Sequence, residues 1–300
     1  MAELRTDPMP GTPATHQAAA RKSIANIGGL AHIGDARTAS AATLAWQDLV
    51  QALQQHWFWR ELGWNDIVQR YRGSVLGPFW LTVTTGVFIA GLGPLYAALF
   101  GLDVKQYLPF MALGVLVWNF ITGTISENCR AFIDAGSLMK QMKIPKMTII
   151  FHILWRNVIV FAHNIPVYVA ILFFCRISPN INMLNAIPGF ILLCLNLLWI
   201  GVLLAIVCLR FRDVLQIVAS ILMLCFFFTP IMWNPKLQSI NSWVVNANPF
   251  AALIELVRAP LLGGTVSAPL LTTALLSLVV GCTATTFVFA RYRAQIIYWV

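Results

Sequence analysis

Charged residues are scarce in this sequence. Asp, Glu, Lys and Arg make up 10% of its 300 residues, whereas hydrophobic residues make up 59%. A water-soluble domain contains about 25% charged residues. The composition therefore excludes an ordinary soluble protein and predicts a chain that is embedded in a membrane.

Several motifs of known chemistry are missing as well. There is no G-x-x-x-x-G-K-[ST] loop, so we do not expect the chain to bind ATP as P-loop proteins do. No Asp or Glu lies in the middle of a long apolar run, where ion-coupled carriers usually place a carboxylate. The six cysteines lack C-x-x-C or zinc-ligand spacing, and no polar region offers paired carboxylates for glycosyl transfer. We therefore expect no enzymatic activity and no metal or cofactor in this chain.

Six apolar runs are long enough to form membrane helices. Crossing the hydrocarbon layer takes about 20 mostly apolar residues, each adding about 1.5 Å of helix. The runs are apolar on every side, which favours helices over the alternating strands of a barrel. We predict an all-α integral membrane protein with spans near 78–100, 108–126, 153–175, 184–209, 214–233 and 270–290.

The third of these runs is the least regular. His152 and Arg156 lie at its start, and His163 lies inside it, shortly before Pro166. A histidine in this place is either a proton relay or a hydrogen-bonded packing residue beside a proline kink. The sequence favours packing.

The positive charges are distributed unevenly between the connections. Sixteen of the twenty Lys and Arg residues fall in the first 77 residues, the 127–156 connection, the 210–213 turn and the end of the chain. The other four are Lys105, Arg176, Lys236 and Arg258. Because cytoplasmic connections carry the excess of positive charge, both termini are expected in the cytoplasm. The net charge of +9 thus indicates topology and contact with membrane lipids, not nucleic acid.

The region before the first span divides into two parts. Residues 1–43 are rich in Ala, Thr, Gly and Pro, without an apolar run, and predict a disordered cytoplasmic tail. Residues 44–77 have helical periodicity in two series, separated near Gly63. They predict two amphipathic helices on the membrane surface, which serve either as interfacial anchors or in a substrate role. Residues 78–300 would then form the six-span domain.

Two connections contain short predicted helices. Residues 134–146 have apolar side chains at Leu138, Met142 and Ile144 among three lysines, which suits either docking of another protein or contact with lipid. Residues 250–262 are apolar but too short to span, and they predict a re-entrant or interfacial helix in the outer connection. In that helix Glu255 and Arg258 have the spacing of an ion pair.

Four stretches in this order resemble the membrane subunits of ATP-binding cassette exporters for polysaccharides, which include O-antigen, capsule and teichoic acid permeases. They are RYRGSVLGPFW before the first span, SLMKQMKIPK after the second, RFRDVLQIVASILMLCFFFTPIMW at the fifth and NPFAALIELVR in the outer connection. The resemblance covers about residues 44–290, and the chain is most similar to the O-antigen branch of the family.

The resemblance implies a homodimer in the bacterial inner membrane, with two partner subunits that bind ATP and Mg²⁺. The cargo would be a glycan on undecaprenyl diphosphate. The segment contacting the ATPase would comprise Ser137, Leu138, Met139, Lys140, Met142, Lys143 and Ile144. Residues at an inner gate that could hold the lipid diphosphate would be Arg60, Arg70, Tyr71 and Arg72. Candidate aromatics along the channel are Trp80, Phe88, Tyr96, Trp118, Phe227 and Trp233.

Two other functions compete with polysaccharide export. An exporter of small drugs or lipids would share the fold, but it gives no reason for the tryptophan-rich helices before the first span. A membrane-embedded glycan enzyme would need catalytic carboxylates, and the outer connection contains only Glu255 among acidic residues.

Overall fold

The computed structural model describes residues 41–74, 77, 79–234 and 242–300. Regular structure in these ranges is entirely helical, which confirms the all-α prediction. The α-helices are α1 Ala41–Gln54, α2 His56–Arg70, α3 Phe79–Leu99, α4 Val104–Asp134, α5 Gly136–Gln141, α6 Lys146–Cys175, α7 Ala186–Arg210, α8 Val214–Phe228, α9 Ser242–Asn246, α10 Pro249–Leu261, α11 Ala268–Tyr292 and α12 Ile296–Trp299, with a 3₁₀ helix at Ile181–Asn185. Residues 1–40 of the predicted tail lie outside the described residues, and α1 begins inside its last three.

Five of the described helices are long and apolar enough to cross a membrane. They are α3, α4, α6, α11 and α7 with its preceding 3₁₀ turn, and they match five of the six predicted spans. The remaining span corresponds to α8, which has 15 residues and ends at Phe228 instead of continuing to residue 233. Thr229 adopts an extended conformation because a residue before proline is disfavoured in a helix.

Helix α4 lies at the centre of the packed helices. It contacts α3, α6, α7, α8 and α10, and most of its side chains are buried. Gly114 permits one close approach, because a Cβ placed there would lie 2.6 Å from the carbonyl oxygen of Ile231. The chain beyond α8 can therefore pass directly against α4.

The two predicted amphipathic helices are present, but they separate at Gln55 and not near Gly63. Gly63 lies within α2, where it is buried against α6. A Cβ on Gly63 would lie 2.9 Å from Cδ1 of Trp155, so the glycine serves helix packing. Trp46, Trp57 and Trp64 are exposed on these helices, and their location at a membrane surface stays a prediction.

Helix α10, in the connection predicted to lie on the outer side, packs on α4, α7 and α11. Asn248 caps it by accepting hydrogen bonds from the backbone N–H groups of Phe250 and Ala251, and Pro249 occupies its first turn. The predicted pair is present, since the guanidinium of Arg258 donates to Glu255. Arg258 is completely buried and also donates to the carbonyl of Pro230 at 2.7 Å. These contacts fix α10 in place; its re-entrant path through a membrane stays a prediction.

Candidate functional site

One end of the packed helices carries the features that the sequence singled out. We call it the basic end, and it comprises the 135–145 connection, the 210–213 turn and the segment after α11. Arg210, at the end of α7, stacks on Trp299 with 5.4 Å between the guanidinium carbon and the ring centroid. Lys140 in the 135–145 connection donates to the carbonyl of Val300. These contacts show that the three segments are neighbours.

The 135–145 connection has one face packed inward and one face exposed. Helix α5 buries Met139, and the chain then becomes extended at Met142. Met142 is 49% exposed, and Leu138 is half-buried. The remaining predicted contact residues are half-buried Ile144 and exposed Ser137, Lys140 and Lys143. The connection therefore presents apolar side chains beside cations, an arrangement that suits either protein docking or contact with lipid.

A network of charged side chains joins α2, α4 and α6 near the same end. Arg156 on α6 pairs with Asp66 on α2, and its Nη2 lies 2.9 Å from Oε2 of Glu127 on α4. His152, one turn before Arg156, places Nε2 2.9 Å from Oδ2 of Asp66. Asn157 also donates to Glu127. A single arginine thus holds two carboxylates from two other helices.

The carboxylate of Asp66 responds to these neighbours. Its hydrogen bond with His152 is the largest cause that lowers its pKa below the ordinary value of 3.8. Partial burial opposes this shift, while the charges of His152 and Arg156 add to it. Asp66 is therefore ionised at neutral pH and available as the common partner of α6.

The predicted gate residues have different surroundings. Arg70 lies at the end of α2 with Nη2 3.9 Å from Oε1 of Glu127, so it borders the charged network. Tyr71 is half-exposed and Arg72 exposed just after it. Arg60 is about 15 Å earlier along α2, given about 1.5 Å per residue, and its guanidinium carbon lies 5.4 Å from the Trp155 ring centroid. The structure therefore groups Arg70, Tyr71 and Arg72 and places Arg60 in a separate tryptophan-lined pocket.

The charged network was not predicted from the sequence. His152 and Arg156 stood out only as irregularities in the third span, and Asp66 and Glu127 did not stand out. The signal was available in the i, i+4 spacing of His152 and Arg156, which places both side chains on one helix face. Their carboxylate partners are distant in sequence, with Asp66 86 residues before His152.

The candidate channel aromatics divide by burial. Trp118 is almost fully buried within the chain, where its ring packs on Phe226 and Phe250. Tyr96 is half-buried against Phe100, and half-buried Trp233 donates its indole N–H to the carbonyl of Phe227. Those with substantial exposure are Trp80, Phe88 and Phe227.

The predicted packing role of His163 agrees with its surroundings. Its Nδ1 lies 2.8 Å from the carbonyl oxygen of Ile159, one turn earlier in α6. Its own carbonyl accepts a hydrogen bond from Thr82 on α3. Within the described ranges, no group of three or more His, Cys, Asp and Glu side chains could hold a metal ion.

The sequence profile of a known family matches the part of the chain that contains these features. The profile, described as ABC-2 type transporter, covers residues 58–262, which is more than half of the chain. The chain belongs to the ABC-2 type transporter family. Because it also contains several long apolar helices, this ABC-2 chain is a multi-pass membrane transport protein.

Three relatives of this ABC-2 chain carry a more specific name, O-antigen export system permease protein RfbA. One from Klebsiella pneumoniae is 23% identical over 208 residues, which are 68% of this chain and 79% of the relative. A second from Klebsiella pneumoniae is 24% identical over 195 residues, covering 63% and 74%. One from Myxococcus xanthus is 24% identical over 203 residues, covering 65% and 76%.

Proposed function

We propose that this chain is the permease subunit of an ATP-driven exporter of lipid-linked polysaccharide, with O antigen on undecaprenyl diphosphate as the cargo. The observation that carries the proposal is the similarity to three proteins named as O-antigen export permeases, which extends over about two thirds of the chain. Membership of a transporter family supports a transport role and gives no support to a glycan enzyme.

In this proposal the chain works as a homodimer with two ATPase subunits in the bacterial inner membrane. Both termini face the cytoplasm, because the basic end carries most of the connections that are rich in Lys and Arg. The chain itself holds no cofactor; ATP and Mg²⁺ belong to the partner. Binding and hydrolysis of ATP there would shift the permease between inward-open and outward-open states.

The 135–145 connection is the proposed contact with the ATPase. Exposed Met142 lies between Lys140 and Lys143 in the sequence, and half-buried Leu138 lies two residues before Lys140, so an apolar contact here would have cations beside it. Such a segment can follow the partner's movement without any catalytic group of its own.

The charged end of α2 is the proposed inner gate for the lipid diphosphate. Arg70 and Arg72 are exposed, and Arg70 is only loosely paired with Glu127 at 3.9 Å. Exposed guanidinium groups can donate charge-assisted hydrogen bonds to a diphosphate. Arg60, in its tryptophan-lined pocket, would be a third cation, about 15 Å earlier along the same helix.

Replacing Leu138 and Met142 together by Asp tests the ATPase contact. We expect the partner ATPase to be lost on purification and polysaccharide export to stop, because two charges would enter an apolar contact. The measurements are the ATPase-to-permease ratio after affinity purification and the amount of surface polysaccharide.

Tyr298→Asp is the matched control for this test. It also adds a charge on an exposed side chain at the basic end, but outside the 135–145 connection. We expect it to retain both the partner and export. Wild-type copurification and export in the Leu138, Met142 double variant would refute the coupling role.

A further inference from the structure

The segment after α11 packs directly against the 135–145 connection. Its short helix α12 buries Ile296 completely. The following Val300 lies against Gly136, since a Cβ placed on Gly136 would come within 2.2 Å of Cγ1 of Val300. Lys140 donates from Nζ to the Val300 carbonyl at 3.2 Å. Helix α5 is therefore supported from one side by the last described residues.

A buried carboxylate fastens the other end of the same connection. Asp48 on α1 is only 1% exposed. Its Oδ2 accepts a hydrogen bond from the backbone N–H of Met147 at 3.0 Å, and its Oδ1 lies 3.1 Å from Nη2 of Arg293. Met147 is the second residue of α6, two residues after the connection ends. Asp48 thus ties the start of α6 to α1 and to the end of α11.

Apolar side chains also pack the segment after α11 against the 135–145 connection. A single core cluster at the basic end contains Met139 from α5, Met147 from α6, Phe289 from α11 and Ile296 from α12. Trp299 packs on Tyr292 and also under the guanidinium of Arg210, which fixes α12 to the ends of α11 and α7. The connection therefore belongs to a packed unit and is not a free loop.

We propose that Asp48, Arg293, Ile296, Trp299 and Val300 form a clamp that holds the 135–145 connection rigid, so that movement of a docked ATPase is transmitted to α1 and α11. The inference rests on the proposed docking role of that connection. A loop without this support would bend when pushed, whereas closely packed elements transmit displacement. These five are positioning residues, because they act through Met139 and Met147.

The test separates transmission from docking. Three variants each weaken a different contact of the clamp. Arg293→Gln removes the charge that faces Asp48, Trp299→Ala removes the ring under Arg210, and Gly136→Leu places a side chain in the space of Val300. The purified permease with its ATPase is assayed for bound partner, ATP hydrolysis and polysaccharide moved per ATP. We expect partner binding and hydrolysis to persist, while polysaccharide per ATP falls at least about fivefold, the lower end of usual coupling factors.

Two controls distinguish the possible failures. Arg293→Lys keeps a positive charge facing Asp48, so its ratio of polysaccharide to ATP should be higher than that of Arg293→Gln. Tyr298→Ala changes an 87% exposed side chain in α12 and should leave this ratio at the wild-type value. If the clamp variants that fold, as judged by a cooperative unfolding transition, keep the wild-type ratio of polysaccharide to ATP, the clamp is refuted. The Leu138, Met142 double variant is expected to lose the ATPase. If the clamp variants lose it as well, the segment after α11 serves docking and not transmission, and the clamp is also refuted.

Discussion

Arg156 and Arg70 contact the same carboxylate, Glu127, but their surroundings differ. The side chain of Arg156 is 15% exposed and pairs closely with Glu127 and Asp66, whereas that of Arg70 is 50% exposed and lies 3.9 Å from Glu127. Losing one partner of a charge pair that is shielded from water destabilises the fold, because the other charge stays buried without a partner. An exposed charge pair contributes little to stability. Arg156 therefore has a structural role, whereas Arg70 is accessible to solvent, as the proposed diphosphate site requires.

This contrast predicts opposite outcomes for two sets of variants. Replacing Arg70 and Arg72 together by Gln should reduce export and leave unfolding unchanged, because neither side chain is buried. Arg156→Gln should instead lower the free energy of unfolding by about 2 kcal/mol, less than for a fully buried pair because both carboxylates keep some contact with water. Thermal unfolding in detergent and surface polysaccharide in cells measure the two effects.

Arg130 supplies the matched control for Arg156. It pairs with Asp134 through an i, i+4 contact in which both side chains are mostly exposed, so Arg130→Gln should not shift the unfolding temperature measurably.

Equal export by the Arg70, Arg72 variant and the wild type would argue against the lipid diphosphate site. Reduced export with a lowered unfolding temperature would assign these arginines to the fold.

At the scale of the elements, the packing of helix α10 depends on one small residue of α7. Gly189 faces the backbone of Leu256, and a Cβ placed on Gly189 would lie 2.0 Å from the Leu256 carbonyl oxygen. Backbone atoms in two packed helices cannot give way as a flexible side chain does. The close approach of α7 and α10 therefore requires glycine at this position.

Gly189→Ala should consequently force α7 and α10 apart. We expect a loss of about 1–3 kcal/mol in the free energy of unfolding, as in other overpacked cores. Gly91→Ala is the control, since Gly91 lies within α3 with no atom within 4 Å of an added Cβ. Alanine there should be neutral or stabilising, because it favours helix. Equal unfolding temperatures for the two variants would contradict the tight contact.

The sequence predicted the elements that depend on local patterns. Long apolar runs identified the membrane helices, and the short apolar run at 250–262 identified α10 almost to its ends. The i, i+3 spacing also identified the Glu255–Arg258 pair. These features depend on residues within one or two helical turns, which periodicity and composition report directly.

Other features depend on packing between distant segments and were not predictable in this way. Gly63 resembles a helix break, yet it sits inside α2 because Trp155 of α6 occupies the space of its missing side chain. The clamp and the charged network have the same character, because Asp48 meets Arg293 across 245 residues and Asp66 meets His152 across 86. A single sequence shows each partner but not their proximity.

The whole molecule combines a membrane region with one specialised end. Five long helices and the shorter α8 provide the apolar part. The basic end gathers the charged network, the 135–145 connection and the clamp within a few helical turns of one another. In our account this end faces the cytoplasm, where an ATPase can push on the connection and a lipid diphosphate can reach the end of α2.

The central claim, that the chain exports a lipid-linked polysaccharide, is tested most directly by deleting its gene in the host bacterium. Surface polysaccharide and intracellular lipid-linked glycan are then compared by gel electrophoresis, with and without a plasmid copy of the wild-type chain. We predict that deletion removes the long-chain ladder from the surface, that glycan accumulates inside, and that the plasmid copy restores export. An unchanged ladder in the deletion strain would contradict the account.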